Sequence, residues 1–170
     1  FPIWLTAFAD EIFHGGAVPP KQRAAEFTEW PAEPKLTFPP KKLVDTPAKI
    51  PAMDWGVYPE RDDQHQDHQL SSLVVERMKT LPEDRPGFLA VGFHVPHVPC
   101  FAPAPWFDLY PEGGLSLPAI KRDDRADVPP FAWYLHWKLP EPRLSYLERD
   151  GQWKPLVRAY LASVSFVDAQ

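Results

Sequence analysis

The stretch Pro86–Cys100, which reads PGFLAVGFHVPHVPC, is the part of the sequence that decides the fold class. It opens with a Pro-Gly turn signal, and a short continuous apolar run, Phe88–Phe93, follows. An unbroken apolar run of this length is typical of a strand that is buried on both faces. We therefore predict that Phe88–Phe93 is a central strand of a mainly parallel sheet and that His94–Cys100 leaves its C-terminal end.

The residues before this strand have the pattern of an amphipathic helix. After the polar, acidic segment 61–68, apolar residues recur at helical spacing until Pro82 ends the pattern: Leu70, Leu73, Val74, Met78 and Leu81. A helix, a tight turn and a buried strand together form an α/β unit. In open α/β sheets, ligands bind beyond the carboxyl ends of the strands, so this pattern predicts a site just after Phe93.

Two histidines, His94 and His97, stand at this predicted site. Pro96 and Pro99 favour an extended backbone, and residues three apart on an extended segment point to opposite sides. We therefore predict that the two rings do not share a metal ion, and that one of them points into a cleft while the other packs. A pair of structural loop histidines is an equally good interpretation of the spacing alone.

Other side chains have a functional and a structural interpretation. His14, before Gly15-Gly16, is a candidate for proton transfer, although a histidine before a turn is more often structural. His65 and His68 lie among aspartates, and a solvated helix N-terminus is a better interpretation than a metal site. Cys100 has apolar neighbours, which favour a buried small residue over a nucleophile.

Two further segments carry weaker signals. The charged run 122–127 mixes both signs and is interpreted as a solvated loop. The aromatic cluster Trp133–Trp137 could stack on a sugar, but such clusters more often pack a loop against a core.

Composition excludes several classes of protein. The formal net charge of -5 provides no basic stripe for nucleic acid and no polybasic surface for a membrane. A single cysteine excludes an internal disulfide framework and a multi-cysteine zinc site. Proline makes up 23 of 170 residues, and seven tryptophans accompany it, which predicts long, ordered loops packed against a core.

The two ends predict a piece of a longer protein. The sequence starts at Phe1, and an amphipathic pattern continues to Val167 with no stop signal before Gln170. That pattern places its apolar face on Val157, Tyr160, Leu161, Val164 and Val167. We interpret residues 1–170 as one partial domain that is truncated at both ends.

The stretch Gly87–Pro99 resembles the sulfatase family, in its iduronate-2-sulfatase and choline-sulfatase-like branch. Members of that branch carry a similar strand followed by His-Lys-Pro-His-x-Pro. Further similar stretches occur in the same order along the chain: Glu11–Gly16, Met53–Gly56, Ala102–Pro103, Trp106–Pro111, Leu117–Pro118, Asp127–Pro130 and Arg158–Gln170.

The resemblance implies a fold and a chemistry. The expected fold is α/β: a partial alkaline-phosphatase-like three-layer core, with a mixed sheet flanked by helices and long proline-rich loops. The family hydrolyses sulfate monoesters with a formylglycine, made from the cysteine of Cys-x-(Pro/Ala)-x-Arg, and with a bound calcium ion. By position, His14 matches the histidine beside the formylglycine, and His97 matches the one that contacts sulfate and protonates the leaving alcohol. The resemblance therefore implies that His14 and His97 face one cleft, and we expect His94 and Cys100 to pack away from it. His94 is a further candidate for substrate binding.

The chain departs from the family pattern at two lysines, which are Glu11 and Val95 here, and Glu11 should oppose sulfate binding. Cys100 does not fit the formylglycine motif because Ala104 stands where arginine is required. The nucleophile and the calcium ligands are therefore expected outside this chain. The expected partner is a sulfated small molecule or glycan, in an exported compartment. A non-catalytic protein that binds sulfated glycans and a phosphoester or phosphonate hydrolase of the same superfamily are alternatives.

Overall fold

The computed structural model describes residues 4–9, 32, 34–47, 49–137 and 142–170. Side chains are described in these ranges except at residues 4–9, 133 and 135–137. The strands are β1 (Trp4–Ala9), β2 (Trp55–Val57), β3 (Gly87–Gly92) and β4 (Cys100–Ala102). The helices are α1 (Gln66–Met78), α2 (Ala104–Asp108), α3 (Pro130–Trp137), α4 (Leu144–Arg149) and α5 (Trp153–Asp168). The mixture of helices and parallel strands confirms the α/β class, whereas the three-layer alkaline-phosphatase-like core stays a prediction.

The strands form two separate parallel pairs. β1 pairs with β3 from Trp4 opposite Gly87 to Ala9 opposite Gly92. β2 pairs with β4 from Trp55 opposite Cys100 to Val57 opposite Ala102. The parallel pairing expected for the apolar run is therefore confirmed. The three-residue strands β2 and β4 were not among the elements predicted from the sequence.

The expectation that β3 is buried on both faces is wrong for the described part of the chain. Phe88 is 53% exposed, and Val91 and Phe93 are exposed as well. The physical reason is that β1 is the only described strand that pairs with β3, and no described helix packs extensively on it. An apolar run is buried only where another element covers it.

The core lies instead around β4 and α5. Its buried hydrophobic residues are Val44, Trp55, Val95, Cys100, Ala102, Phe107, Tyr146, Leu147, Ala159, Ala162 and Phe166. α5 packs against β4 and β2, and α2 packs against α5 as well. The segment 121–127 forms exposed turns, as its mixed charges predicted.

Helix α5 was predicted correctly as an element but with the wrong buried face. Its fully buried positions are Ala159, Ala162, Ser163 and Phe166, whereas Tyr160 and Val164 of the predicted face are exposed. Small side chains let the helix approach the sheet closely, and the Ser163 hydroxyl donates a hydrogen bond to the Phe101 carbonyl at 3.3 Å. In the described residues, no helix is both long and apolar enough to cross a membrane.

Candidate active site

The candidate site lies on the segment that connects the two strand pairs. β3 ends at Gly92, β4 begins at Cys100, and residues 93–99 run between them. The segment therefore begins at the exposed pair β1–β3 and ends at the buried pair β2–β4. His94 is half-buried, Val95 is 3% exposed and packed in the core, and His97 is exposed.

A hydrogen-bonded turn brings His94 and His97 to the same side of the chain. The His97 N–H donates to the His94 carbonyl at 3.0 Å, and the bond before Pro96 is cis, as in type VI turns. The two ring centroids are 5.2 Å apart, with the planes tilted by 58°. The prediction that the rings point to opposite sides is therefore wrong, because the backbone reverses between them instead of staying extended.

Both rings bind one backbone oxygen. The Val98 carbonyl lies 3.2 Å from Nε2 of His94 and 2.7 Å from Nδ1 of His97. A carbonyl oxygen can only accept, so each of these ring nitrogens carries a proton. With this assignment, a neutral His94 is the Nε2–H tautomer and a neutral His97 is the Nδ1–H tautomer.

A buried carboxylate holds the first half of the turn. Asp67 is 1% exposed, and its Oδ1 accepts from the His94 N–H at 3.0 Å. Its Oδ2 accepts from the N–H groups of His94 at 3.1 Å and Val95 at 2.9 Å. Asp67 was predicted to be part of a solvated helix N-terminus, and that interpretation is wrong because its side chain points into the protein and binds the turn.

His65 is also buried rather than solvated. It is the N-cap of α1, where its Nδ1 accepts from the Asp67 N–H at 3.1 Å. Its ring packs on Phe166, with the centroids 4.4 Å apart. Burial lowers the pKa of His65 below its ordinary value near 6.5, and the negative charge of Asp67 acts in the opposite direction. The lowered pKa favours the neutral ring that caps the helix.

The acidic segment 62–68 does not gather into a metal site. Asp62 accepts from the Trp106 indole N–H at 2.9 Å, and Asp63 forms an exposed ion pair with Arg61. The only other aspartate of this segment, Asp67, is bound to the turn. Each carboxylate thus faces a different part of the chain.

Calcium does not fit the residues that the structure describes. Among them, no group of three or more histidines, cysteines, aspartates or glutamates is placed to hold a metal ion. The two most buried carboxylates, Asp54 and Asp67, each face backbone N–H donors, which occupy the oxygen atoms that a cation would need.

Cys100 is packed, as predicted. Its side chain is 2% exposed, and burial raises the pKa of the thiol to about 11. The thiol donates a weak hydrogen bond to the Pro96 carbonyl at 3.7 Å. Burial and the raised pKa both disfavour the thiolate, so the surroundings of Cys100 suit a packed residue better than a nucleophile.

Two predicted features of the site lie outside the described residues. His14 and its neighbour Glu11 are among them, so the prediction that His14 and His97 face one cleft stays a prediction. The side chains of Trp133 and Trp137 are likewise not described.

Asp67 is the residue that the sequence analysis missed, and its signal was its place at the start of the helix that precedes β3.

The chain has a curated relative. A scan against models of protein families finds no match. Over 115 residues the chain is 42% identical to a protein of Formosa agariphila named "Sulfatase". The aligned stretch is 68% of this chain and only 22% of the relative's length. This similarity supports assignment of the chain to the sulfatase family.

Proposed function

We propose that this chain is part of a sulfatase that hydrolyses a sulfate monoester of a sugar or a small alcohol. The observation that carries the proposal is the His94–His97 turn, which lies in the family-like stretch of a chain that is 42% identical to a sulfatase over 115 residues. The formylglycine nucleophile lies outside this chain, and the chain by itself is inactive. The parent protein is exported, and its ligand is a sulfated small molecule or glycan.

His97 serves as the acid for the leaving alcohol in this proposal. Cleavage of a sulfate ester leaves negative charge on the alcohol oxygen, and a positioned acid removes that charge. The ring is exposed, and its Nδ1–H is occupied by the Val98 carbonyl at 2.7 Å, so proton transfer falls to Nε2. His94, 5.2 Å away, is placed to contact the same substrate group.

The other catalytic groups come from elsewhere in the parent protein. By the family resemblance, His14 stands beside the formylglycine and assists release of sulfate. By the same resemblance, calcium would be held by ligands outside this chain. A sulfuryl group also carries negative charge that cations must balance.

A non-catalytic relative that binds sulfated glycans is the second candidate. Two family lysines are replaced, by Glu11 and by Val95. Val95 is 3% exposed in the core, so at this position the chain has an apolar packing residue instead of a cation. Both changes lower the positive charge available for a sulfate group. A phosphoester hydrolase of the same superfamily is a further outcome of the test below.

The test uses the natural gene that contains this chain. The first step is to read its flanks for Cys-x-(Pro/Ala)-x-Arg, and the second is to assay the encoded protein with 4-nitrophenyl sulfate and 4-nitrophenyl phosphate. We expect the motif and hydrolysis of the sulfate. Hydrolysis of the phosphate alone would indicate the phosphoester hydrolase, and binding of a sulfated glycan without turnover would indicate the non-catalytic relative.

The isolated 170-residue chain is the matched control. It should hydrolyse an alkyl sulfate no faster than its His97→Ala variant, because the nucleophile is missing. Turnover by the isolated chain above that variant would contradict the proposed division of the catalytic groups.

A further inference from the structure

We propose that Asp67 is the positioning residue of the His94–His97 turn: its buried carboxylate fixes the backbone from which both histidine rings project. The inference rests on the proposed function only for the catalytic role of this turn. The clamp itself is a property of the chain and can be tested without any activity.

The contacts that carry the inference lie between one side chain and two consecutive backbone N–H groups. Oδ2 of Asp67 accepts from both His94 and Val95, at 3.1 and 2.9 Å, and Oδ1 accepts from His94 at 3.0 Å. Hydrogen bonds to a buried carboxylate are charge-assisted and stronger than neutral ones. The backbone of the first two residues of the turn is therefore held by Asp67, while the two rings share a different acceptor, the Val98 carbonyl.

The carboxylate can act as a fixed point because its own backbone is held. Asp67 is the second residue of α1, and its N–H donates to the ring of the N-cap His65 at 3.1 Å. That ring packs on Phe166 of α5 at 4.4 Å between centroids. A continuous set of contacts thus joins the core to the turn through His65 and Asp67.

Position 67 requires a carboxylate, and an uncharged side chain of the same shape does not replace it. An asparagine could place its oxygen at Oδ2, but its NH2 group would then meet the His94 N–H, donor against donor. Asp67→Asn is therefore nearly isosteric and still weakens the clamp, because it removes the negative charge and the acceptor at Oδ1. A buried donor left without an acceptor is itself destabilising.

Asp54 provides the matched control. It is equally buried, at 1% exposed, and its carboxylate accepts from the N–H groups of Leu43, Val44 and Trp55 at 2.9, 2.9 and 3.0 Å. Asp54→Asn removes the same chemistry from a different loop. Any change that is specific to the histidine turn must follow from Asp67→Asn alone.

The experiment is NMR on the 170-residue chain. In the wild type we expect slow amide exchange at His94 and Val95, and a through-hydrogen-bond coupling between the Val95 nitrogen and the Asp67 carboxylate carbon. The ring nitrogens of His97 should show the Nδ1–H tautomer. In Asp67→Asn, the two amides should exchange about 10- to 100-fold faster, as the loss of a charge-assisted hydrogen bond predicts, and His97 should lose its tautomer preference. Asp54→Asn should leave both signals unchanged.

Several results overturn the inference. One is a wild-type spectrum in which the His94 and Val95 amides exchange freely, which decides the matter even if a variant fails to fold. Another is an Asp67→Asn variant that keeps the wild-type tautomer. A third is an Asp54→Asn variant that changes His97 as much as Asp67→Asn does.

Kinetic measurements on the parent protein distinguish a failure of this inference from a failure of the proposed function. In the parent protein, Asp67→Asn should lower kcat for a sulfate ester and leave KM within about twofold, because a displaced acid affects the transition state more than binding. If the wild-type parent hydrolyses no sulfate ester, the proposed function fails while the NMR result still decides the clamp. If it does hydrolyse one and Asp67→Asn keeps the wild-type kcat, the positioning role is wrong.

Discussion

The two parallel strand pairs have the same kind of pairing and opposite burial. β2 and β4 are three residues long, yet Phe101 at the centre of β4 is 1% exposed. β1 and β3 are six residues long, yet Phe88 of β3 is 53% exposed. The length and apolar character of a strand therefore do not decide whether it lies in the core of this chain.

The difference between the pairs comes from the element that covers each one. α5 lies on β4 with Ala159, Ala162 and Ser163 fully buried, whereas no described helix packs extensively on β3. The histidine turn connects the open pair to the covered pair. The turn is therefore held in position by contacts with the buried part of the chain: Phe166 contacts His65, His65 contacts Asp67, and Asp67 binds the backbone of the turn.

The largest effect that we expect from this comparison is on the stability of the covered pair. Phe101→Ala should lower the free energy of unfolding by about 3–5 kcal/mol, because it leaves a cavity in a closed core. Phe88→Ala is the matched control, and it should cost less than about 1 kcal/mol because its side chain is already exposed. Urea denaturation of the three chains measures both values. Equal losses for the two variants would contradict the difference in burial.

The second effect concerns the thiol at the start of β4. Cys100 is the only cysteine in the chain, so a thiol reagent reports on it alone. Burial raises the thiol pKa from 9.0 to about 11, which lowers the thiolate fraction roughly 100-fold near pH 8. The native chain should therefore react with 5,5'-dithiobis(2-nitrobenzoate) at least about 100-fold more slowly than the urea-unfolded chain. Similar rates in the two states would mean that β4 is not covered.

The smallest effect is a pH dependence at the contact between α1 and the covered pair. The pKa of His65 is lowered by burial, so below pH 6.5 the unfolded chain binds a proton that the folded chain resists. This contribution to stability is complete above pH 6.5, and it is lost as the pH falls from 6.5 towards the lowered pKa.

Unfolding in urea between pH 7.5 and 5 measures this dependence. His65→Asn keeps a capping side chain but cannot titrate, so it should reduce the loss of stability at low pH. His68→Asn, which changes a half-buried histidine that does not cap the helix, should retain that loss. A His65→Asn variant with the wild-type pH dependence would assign the effect to other groups.

The sequence predicts the elements whose patterns are long. The spacing of Leu70 and Leu73 gave α1, and the apolar run gave β3 and its parallel pairing. It could not give β2 and β4, because three-residue strands are too short to show a period. It also gave the wrong face of α5, because the residues that approach the sheet most closely, Ala162 and Ser163, are small and not strongly apolar.

The geometry of the His94–His97 turn could not be predicted from the sequence. His94 and His97 were identified from the segment that follows β3, whereas the turn between them was not, since Pro96 was interpreted as favouring an extended chain. Asp67 appeared as one of several solvated acids. The missed signal lies in the order of the elements. A strand that follows a helix after a tight turn runs back antiparallel to the helix, so the end of the strand lies near the first turn of the helix.

The central claim is that His97 is the acid for the leaving alcohol, and the dependence of rate on the leaving group tests it most directly. In the parent protein, His97→Ala should slow hydrolysis of an alkyl sulfate by about 10²–10⁴-fold. It should slow hydrolysis of 4-nitrophenyl sulfate by about tenfold or less, because 4-nitrophenolate leaves without a proton. His68→Ala should slow neither substrate. If His97→Ala slows both substrates by the same factor, His97 is not the acid and the account of the turn as a catalytic element is wrong.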